Sequence, residues 1–149
     1  MGYICIHPEM PEGELLANAI TLTVRTLGSV NAPVIGQRLA MALLDEKVDT
    51  AVYARRRDAL AEVLDAAGIS FALPKGTFYF FPEVPGGDDK AFVESLLQHN
   101  ILAVPGSGFG RPGFMRLSFS TIDEAAIRRS ARGFAAAVEG WREKGGGAR

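Results

Sequence analysis

In the second half of the chain, two short runs with the composition of strands precede each longer amphipathic run, and this order constrains the fold most. Helical spacing of apolar residues follows the second and the fourth short run. The order strand, strand, helix, strand, strand, helix predicts a compact α/β domain of the α+β type. The runs with the length and composition of strands are 69–73, 77–81, 101–104 and 114–119.

A long helix predicted at residues 49–67 precedes these runs and divides the chain. Its apolar residues form one stripe, and Gly68 stands where a C-terminal cap is expected. We therefore expect residues 49–144 to form a small domain that begins with this linking helix. Residues 145–149 are mostly glycine, which predicts a disordered tail.

Two later helices carry start and stop signals. Asp88 or Asp89 has the position of an N-cap for the helix after the second strand, and Asn100 is placed to end that helix. Residues 121–124 match a capping box, which predicts that the last helix begins at Thr121.

The first 48 residues contain one strand-like run and two helical segments. Residues 2–6 are almost wholly apolar, which is typical of a strand buried on both faces. Helices are expected at residues 11–27 and from Pro33 onward. Because one strand cannot form a sheet, we interpret residues 1–48 as a piece of something larger whose partner strands are missing.

Charge and composition exclude several classes of function. The chain has 16 Lys and Arg against 17 Asp and Glu, a net charge of −1, which favours neither nucleic acid nor an anionic membrane as a partner. No run resembles a membrane span or a signal peptide, so the expected location is the cytoplasm. Cys5 is the sole cysteine, and His7 and His99 are far apart in sequence, so neither a disulfide framework nor a metal site is expected.

The most basic segment of the chain is Arg55-Arg56-Arg57 in the linking helix. Asp58 and Glu62 follow at spacings that suit pairing along a helix. We interpret the segment as a solvated helix face with intrahelical ion pairs rather than a phosphate site.

A glycine-rich segment leads into the run that carries Arg116. The spacing of Gly108, Gly110 and Gly113 matches a dinucleotide-binding pattern, but that pattern requires the glycines to open a helix, and here they lead into a strand. The segment is either a plain turn or a loop that approaches a ligand closely. Arg116, on an otherwise apolar strand, either binds a carboxylate with its planar fork or extends into water at the strand edge. The residues alone leave both questions open.

Several segments, in this order, resemble the C-terminal part of the class I and II aminotransferases, fold type I enzymes that use pyridoxal phosphate. Residues 75–82 are similar to the family's Gly-Thr-Phe-Tyr strand, residues 101–110 to its Val-Pro-Gly-Ser-x-Phe-Gly loop, and residues 115–118 to its Arg-Leu-Ser strand. Residues 2–4 and 30–33 look like the strand and the helix start that follow the cofactor lysine. The resemblance implies a C-terminal α+β small domain plus a remnant, residues 1–48, of the large cofactor-binding domain.

The resemblance also implies roles for individual residues. By position, Arg116 binds the α-carboxylate of the substrate, and Asn31, Tyr79, Gly106 and Phe109 are candidates to line the cleft. The substrates of the full enzyme would be an α-amino acid and an α-keto acid. Its cofactor would be pyridoxal phosphate, and its assembly a homodimer.

The resemblance does not supply a catalytic lysine. In relatives this residue would fall before Met1, and the four lysines of the chain, Lys47, Lys75, Lys90 and Lys144, lack the family's Ser-x-x-Lys context. We therefore expect a truncated chain that is inactive alone and does not hold the cofactor by itself. The alternative is a stand-alone α+β module that binds small carboxylates as a non-catalytic regulator.

Overall fold

The chain folds as two compact units, Met1–Val48 and Asp49–Arg149. The computed structural model describes residues 2–143, so the tail expected at 145–149 lies outside the described residues. The sheet and the hydrophobic core both belong to the second unit.

The first unit consists of two helices, α1 (Gly13–Thr26) and α2 (Val34–Ala42), which confirms the two predicted helical segments. The strand predicted at residues 2–6 is wrong, since Tyr3 and Ile4 are 87% and 70% exposed and their backbone pairs with no strand in the described part of this unit. A strand is stable only when neighbouring strands satisfy its N–H and C=O groups. Neither helix buries a residue.

The second unit begins with α3 (Thr50–Ala66), which confirms the long helix predicted at residues 49–67. Gly68 follows the helix with φ of +70°. Its N–H donates to the Asp65 C=O at 2.9 Å, and the next N–H donates to the Leu64 C=O at 3.0 Å. These two bonds form a Schellman motif, so the predicted glycine cap is also confirmed.

The basic segment of α3 makes contacts outside its own helix. Arg55 Nε lies 3.1 Å from Glu124 Oε1, and Arg56 donates to the Ser120 C=O at 2.5 Å. Arg57 does pair with an acidic neighbour in α3. The prediction of intrahelical pairs is therefore wrong for Arg55 and Arg56, because folding brings acceptors from distant parts of the sequence within their reach.

Three short strands form the sheet: β1 (Tyr79–Phe80), β2 (Val104–Pro105) and β3 (Met115–Ser118). The central strand, β3, pairs antiparallel with both neighbours, in the order β1-β3-β2. Phe80 lies opposite Leu117, and Val104 lies opposite Arg116. Because successive residues of a strand face opposite sides, Arg116 and Leu117 lie on different faces of the sheet.

The strands are fewer and shorter than the sequence predicted. Residues 69–73 form no ladder, although the Glu83 N–H donates to the Ser70 C=O and the Phe71 ring meets the Phe80 ring at 5.3 Å. The run predicted at 101–104 pairs only at its end. Thr77 has φ of +65°, outside the β region, which delays the start of β1.

Three helices complete the second unit: α4 (Asp89–Leu97), α5 (Glu124–Arg129) and α6 (Ala131–Glu143). The last two replace the single helix predicted from Thr121. Asp123 caps α5 by accepting a hydrogen bond from the Ala126 N–H at 2.6 Å, so the predicted capping box is wrong. Ser130 separates α5 from α6, and its hydroxyl donates to the Ile127 C=O at 2.6 Å. No helix among residues 2–143 is long and apolar enough to cross a membrane.

The core of the second unit packs one face of the sheet against the helices. On β3, Met115 and Leu117 are 0% and 4% exposed, and α3 adds the fully buried Leu64. A T-shaped contact joins Phe80 to Phe119 at 5.7 Å between ring centroids. The largest fully buried side chains are Phe80, Phe92, Phe119, Phe134, Leu64, Leu96, Met115 and Pro82.

The core predicts that one substitution has different effects at buried and exposed positions of the second unit. Leu64→Ala removes a fully buried side chain and should lower the free energy of unfolding of the second unit by about 2–5 kcal/mol. Leu102→Ala is the same change in the same unit at a residue that is 81% exposed, and its effect should stay within about 0.5 kcal/mol. Urea unfolding followed by the fluorescence of Trp141, in α6, measures both. Equal losses would contradict the described burial.

Candidate carboxylate-binding site

The face of the sheet opposite the core carries aromatic and cationic side chains. On β3, Arg116 is half-buried between the buried Met115 and Leu117. On β1, Tyr79 is half-buried and precedes the fully buried Phe80. The side chains of β3 thus alternate between the two faces of the sheet, and Arg116 lies on the face away from the core.

The Arg116 guanidinium lies against two aromatic rings. Its Cζ atom is 4.6 Å from the centroid of the Tyr79 ring and 4.6 Å from that of the Phe109 ring. A cation over an aromatic face is attracted by the ring quadrupole, and stacking restrains the guanidinium plane. Within residues 2–143, no carboxylate forms a salt bridge with Arg116. The charge is held in place without neutralisation by a described acidic side chain.

Phe109 reaches the guanidinium from a tight turn. It ends the 3₁₀ turn Gly106–Phe109 and is 48% exposed. The Gly106 N–H donates to the Phe114 C=O at 2.7 Å, and the Arg111 N–H donates to the Gly106 C=O at 2.9 Å. Gly106 is buried, and a Cβ atom there would lie 2.7 Å from the Phe114 carbonyl oxygen. The turn therefore needs glycine at this position for the close approach of main chain to main chain.

The structure brings three of the sequence-predicted residues together. Tyr79 and Phe109 contact Arg116, and we call these three residues the Arg116 site. Gly106 belongs to the same turn as Phe109, where it is buried. Asn31 belongs to the first unit and is exposed in the loop before α2.

An aromatic surface continues from this site. The Phe81 ring stacks on the Phe114 ring at 5.6 Å and meets the edge of the Phe109 ring at 6.1 Å. The Arg111 guanidinium lies 4.7 Å from the centroid of the Phe114 ring. A signal was present in the sequence, because Phe114 and Arg116 are two positions apart on one strand and so share a face.

Asp89 is a buried acidic residue next to the turn. It is 6% exposed, and its Oδ2 atom accepts a hydrogen bond from the Ser107 N–H at 2.7 Å. This bond is the main cause of the lowered pKa of Asp89. The Ser107 hydroxyl and the Gly113 main chain also lower the pKa, whereas burial raises it. The ionised carboxylate is therefore the form that the fold stabilises.

The side-chain amines do not fit a site that holds a cofactor through a lysine. Lys47, Lys75 and Lys90 are exposed, and Lys144 lies outside the described residues. An amine that forms an imine is activated by burial in apolar surroundings or by a neighbouring cation. Residues 2–143 also contain no cluster of three His, Cys, Asp or Glu residues that could bind a metal ion.

Comparison with known proteins gives one consistent result. A family model described as Aminotransferase class I and II matches residues 1–134. The chain is 36% identical over 113 residues to the aspartate aminotransferase of Thermotoga maritima, and the aligned stretch covers 74% of the chain and 30% of that protein. It is 40% identical over 83 residues to the LL-diaminopimelate aminotransferase of Nitratidesulfovibrio vulgaris, which covers 53% of the chain and 21% of that protein.

Solved structures agree with these sequence matches. A crystal structure of an amino transferase from Eubacterium rectale superposes with a TM-score of 0.83 and 29% identity, covering 91% of this chain and 34% of that one. The structure of the Thermotoga maritima aspartate aminotransferase gives a TM-score of 0.64 and 29% identity, covering 90% and 34%. The chain thus spans about a third or less of the length of these proteins.

The close packing of the turn predicts a contrast between two of its glycines. Gly106→Ala should lower the free energy of unfolding by about 1–3 kcal/mol, because the added methyl group meets main-chain atoms that cannot rotate away. A Cβ atom at Gly108 has no neighbour within 4 Å, so Gly108→Ala should change stability by less than about 1 kcal/mol. Urea unfolding of both variants measures the contrast, and similar losses would show that Gly106 is not tightly packed.

Proposed function

Since this chain belongs to the class I and II aminotransferases and has the fold of the C-terminal part of these fold type I enzymes, we propose that Arg116 binds a substrate carboxylate. The substrates proposed are an α-amino acid and an α-keto acid that exchange an amino group. The observation that supports this role is a guanidinium in contact with the Tyr79 and Phe109 rings, with no acidic partner in residues 2–143.

The chemistry of arginine suits this role. A guanidinium contacts aromatic rings through its faces and binds a carboxylate by hydrogen bonds in its plane, so the two kinds of contact do not compete. Each hydrogen bond to a charged group contributes about 1.5–3 kcal/mol. Lysine has no planar fork, so it cannot replace both bonds with the same geometry.

The cofactor of the proposed reaction is pyridoxal phosphate, which supplies the electron sink for amino transfer when it is bound. This chain does not offer it a fitting residue among those described, because Lys47, Lys75 and Lys90 are exposed amines. We propose that this chain alone neither holds the cofactor nor transfers an amino group. In the full enzyme, residues 1–48 would be part of the cofactor-binding domain, with Asn31 on the cofactor side.

A homodimer is the assembly we propose for the full enzyme. The apolar residues of the first unit support association of this region with further protein, since no residue of α1 or α2 is buried. Leu27, Met41 and Leu44 are each about four-fifths exposed, at 79%, 80% and 81%. Apolar surface of this kind is typical of a face that is covered in a larger assembly.

A non-catalytic carboxylate-binding module is the second candidate function. It uses the same Arg116 site, and the exposure of the described lysines favours it for the chain as it stands. Both candidates predict carboxylate binding, and they differ in whether the complete coding frame supplies a Ser-x-x-Lys segment upstream of this sequence. That segment would support the aminotransferase and contradict the module.

If Arg116 binds carboxylates, its side-chain NMR peak should shift when a keto acid is added. In a ¹⁵N spectrum of the chain, pyruvate should shift the Nε–Hε peak of Arg116, whereas sodium chloride at equal ionic strength should not. In calorimetric titrations, which do not need an Arg116 peak, Arg116→Lys should bind pyruvate roughly tenfold or more weakly, the loss expected when a bidentate pair becomes a single contact. Arg25→Lys, at an exposed helical arginine, serves as the control and should leave the affinity unchanged. An equal loss in both variants would mean nonspecific anion binding.

The exposed amines predict no stoichiometric imine in this chain. Mixed with an equal concentration of pyridoxal phosphate, the chain should show no imine absorbance band, and borohydride reduction should leave its mass unchanged. The complete aspartate aminotransferase of Thermotoga maritima is the positive control for both measurements. A single reduced adduct on one lysine of this chain would overturn the proposal that it does not hold the cofactor.

A further inference from the structure

The turn that presents Phe109 to the guanidinium is held by a carboxylate from another element. Asp89 is the first residue of α4, and its Oδ2 atom accepts the Ser107 N–H at 2.7 Å. Ser107 lies in the same 3₁₀ turn as Phe109. We infer that Asp89 is a positioning residue that fixes this turn and thereby the Phe109 ring over Arg116. Its effect on ligand affinity rests on the proposed carboxylate binding at Arg116.

The turn depends on such an external contact because its own backbone is permissive. Gly106, Gly108 and Gly110 lack the side chains that restrict a backbone, and Gly110 has φ of +70°. Gly108 is exposed and Phe109 is 48% exposed, so side-chain packing restrains this end of the turn only through the Phe109 ring. Hydrogen bonds from outside the turn therefore decide its conformation more than side-chain packing does.

Asp89 is suited to this task because its carboxylate is buried and ionised. A buried charge is unfavourable unless donors surround it, and the donors here come from the glycine-rich segment. The Ser107 hydroxyl and the Gly113 main chain also favour the charged form and lower its pKa. The hydrogen bond from the Ser107 N–H thus joins this buried carboxylate to the turn that contains Phe109.

The neighbouring acid has a different task, which provides a matched control. Asp88 is exposed, and its Oδ1 atom accepts the Ala91 N–H at 3.1 Å, which caps α4. Asp88→Ala therefore removes a carboxylate from the same helix end without removing the bond to Ser107. Asp89→Ala removes that bond and leaves the cap.

The functional consequence is pre-organisation of the guanidinium. When the turn is fixed, Phe109 and Tyr79 restrain Arg116 before any ligand arrives. When the turn is released, Arg116 must be immobilised on binding, which weakens affinity roughly two- to tenfold for one long side chain. Asp89→Ala should have this effect on pyruvate affinity.

The test measures the position of the Arg116 Nε–Hε peak in the ¹⁵N spectrum of the ligand-free chain. The ring current of Phe109 displaces this peak, and Phe109→Ala gives its position without that ring. Asp89→Ala should move the peak toward the Phe109→Ala position and weaken pyruvate binding, whereas Asp88→Ala should do neither, even though it loses a helix cap.

If Asp89→Ala does not fold, Asp89→Asn, which keeps an oxygen acceptor but loses the charge, should move the peak part of the way.

Each outcome decides the inference independently of the proposed function. An Arg116 peak that stays at its wild-type position in Asp89→Ala and Asp89→Asn overturns the positioning role, as does an equal movement in Asp88→Ala. If the wild-type chain does not respond to pyruvate, carboxylate binding fails, but the peak positions in the ligand-free variants still test whether Asp89 holds Phe109 over Arg116.

Discussion

The alternation of side chains along β3 is the constraint on which the second unit depends. Met115 and Leu117 fill the core from one face, and full burial of such side chains contributes about 1.5–3 kcal/mol each. The same alternation leaves Arg116 on the other face, where Tyr79 and Phe109 cover it. A shift of one residue in the pairing of this central strand would exchange the two faces and place the charge in the core. Core packing thus fixes the position of the candidate binding group.

Features encoded by neighbouring residues could be predicted from the sequence, and features that depend on distant partners could not. Gly68 ends its helix as predicted, and Asn100 does the same with φ of +57°, because each needs only the preceding turn. The predicted cap at Thr121 failed because Asp123 supplies a competing acceptor two residues later. Asp88 and Asp89 were equivalent in sequence, and only the position of the Ser107 N–H distinguishes them.

The Arg116 site shows the same difference between what neighbouring residues encode and what distant partners supply. Arg116 could be singled out because a guanidinium among apolar strand residues needs a specific environment. Its neighbours Tyr79 and Phe109 were candidates only through the family resemblance, since they come from two separate parts of the chain. The strand expected at residues 2–6 failed for a related reason, since an apolar run carries no information about whether a partner strand is present. Binding a carboxylate does not by itself catalyse amino transfer, so the imine-forming amine of the proposed enzyme is a separate requirement.

The short helix α5 shows how the edge of the second unit differs from its centre. It has six residues, far fewer than the roughly 12–15 that an isolated helix needs in water, so it depends on the burial of Ile127 and on contacts with α3 and α6. Its contacts with α3 include exposed ion pairs. Two of these are the ion pairs Arg55–Glu124 and Arg128–Glu62, whose side chains are all largely exposed. Exposed pairs weaken as dissolved salt screens their attraction, whereas the buried face of β3 is insensitive to it. The cohesion of this corner of the domain therefore varies with the ionic composition of its surroundings, while the sheet keeps its form.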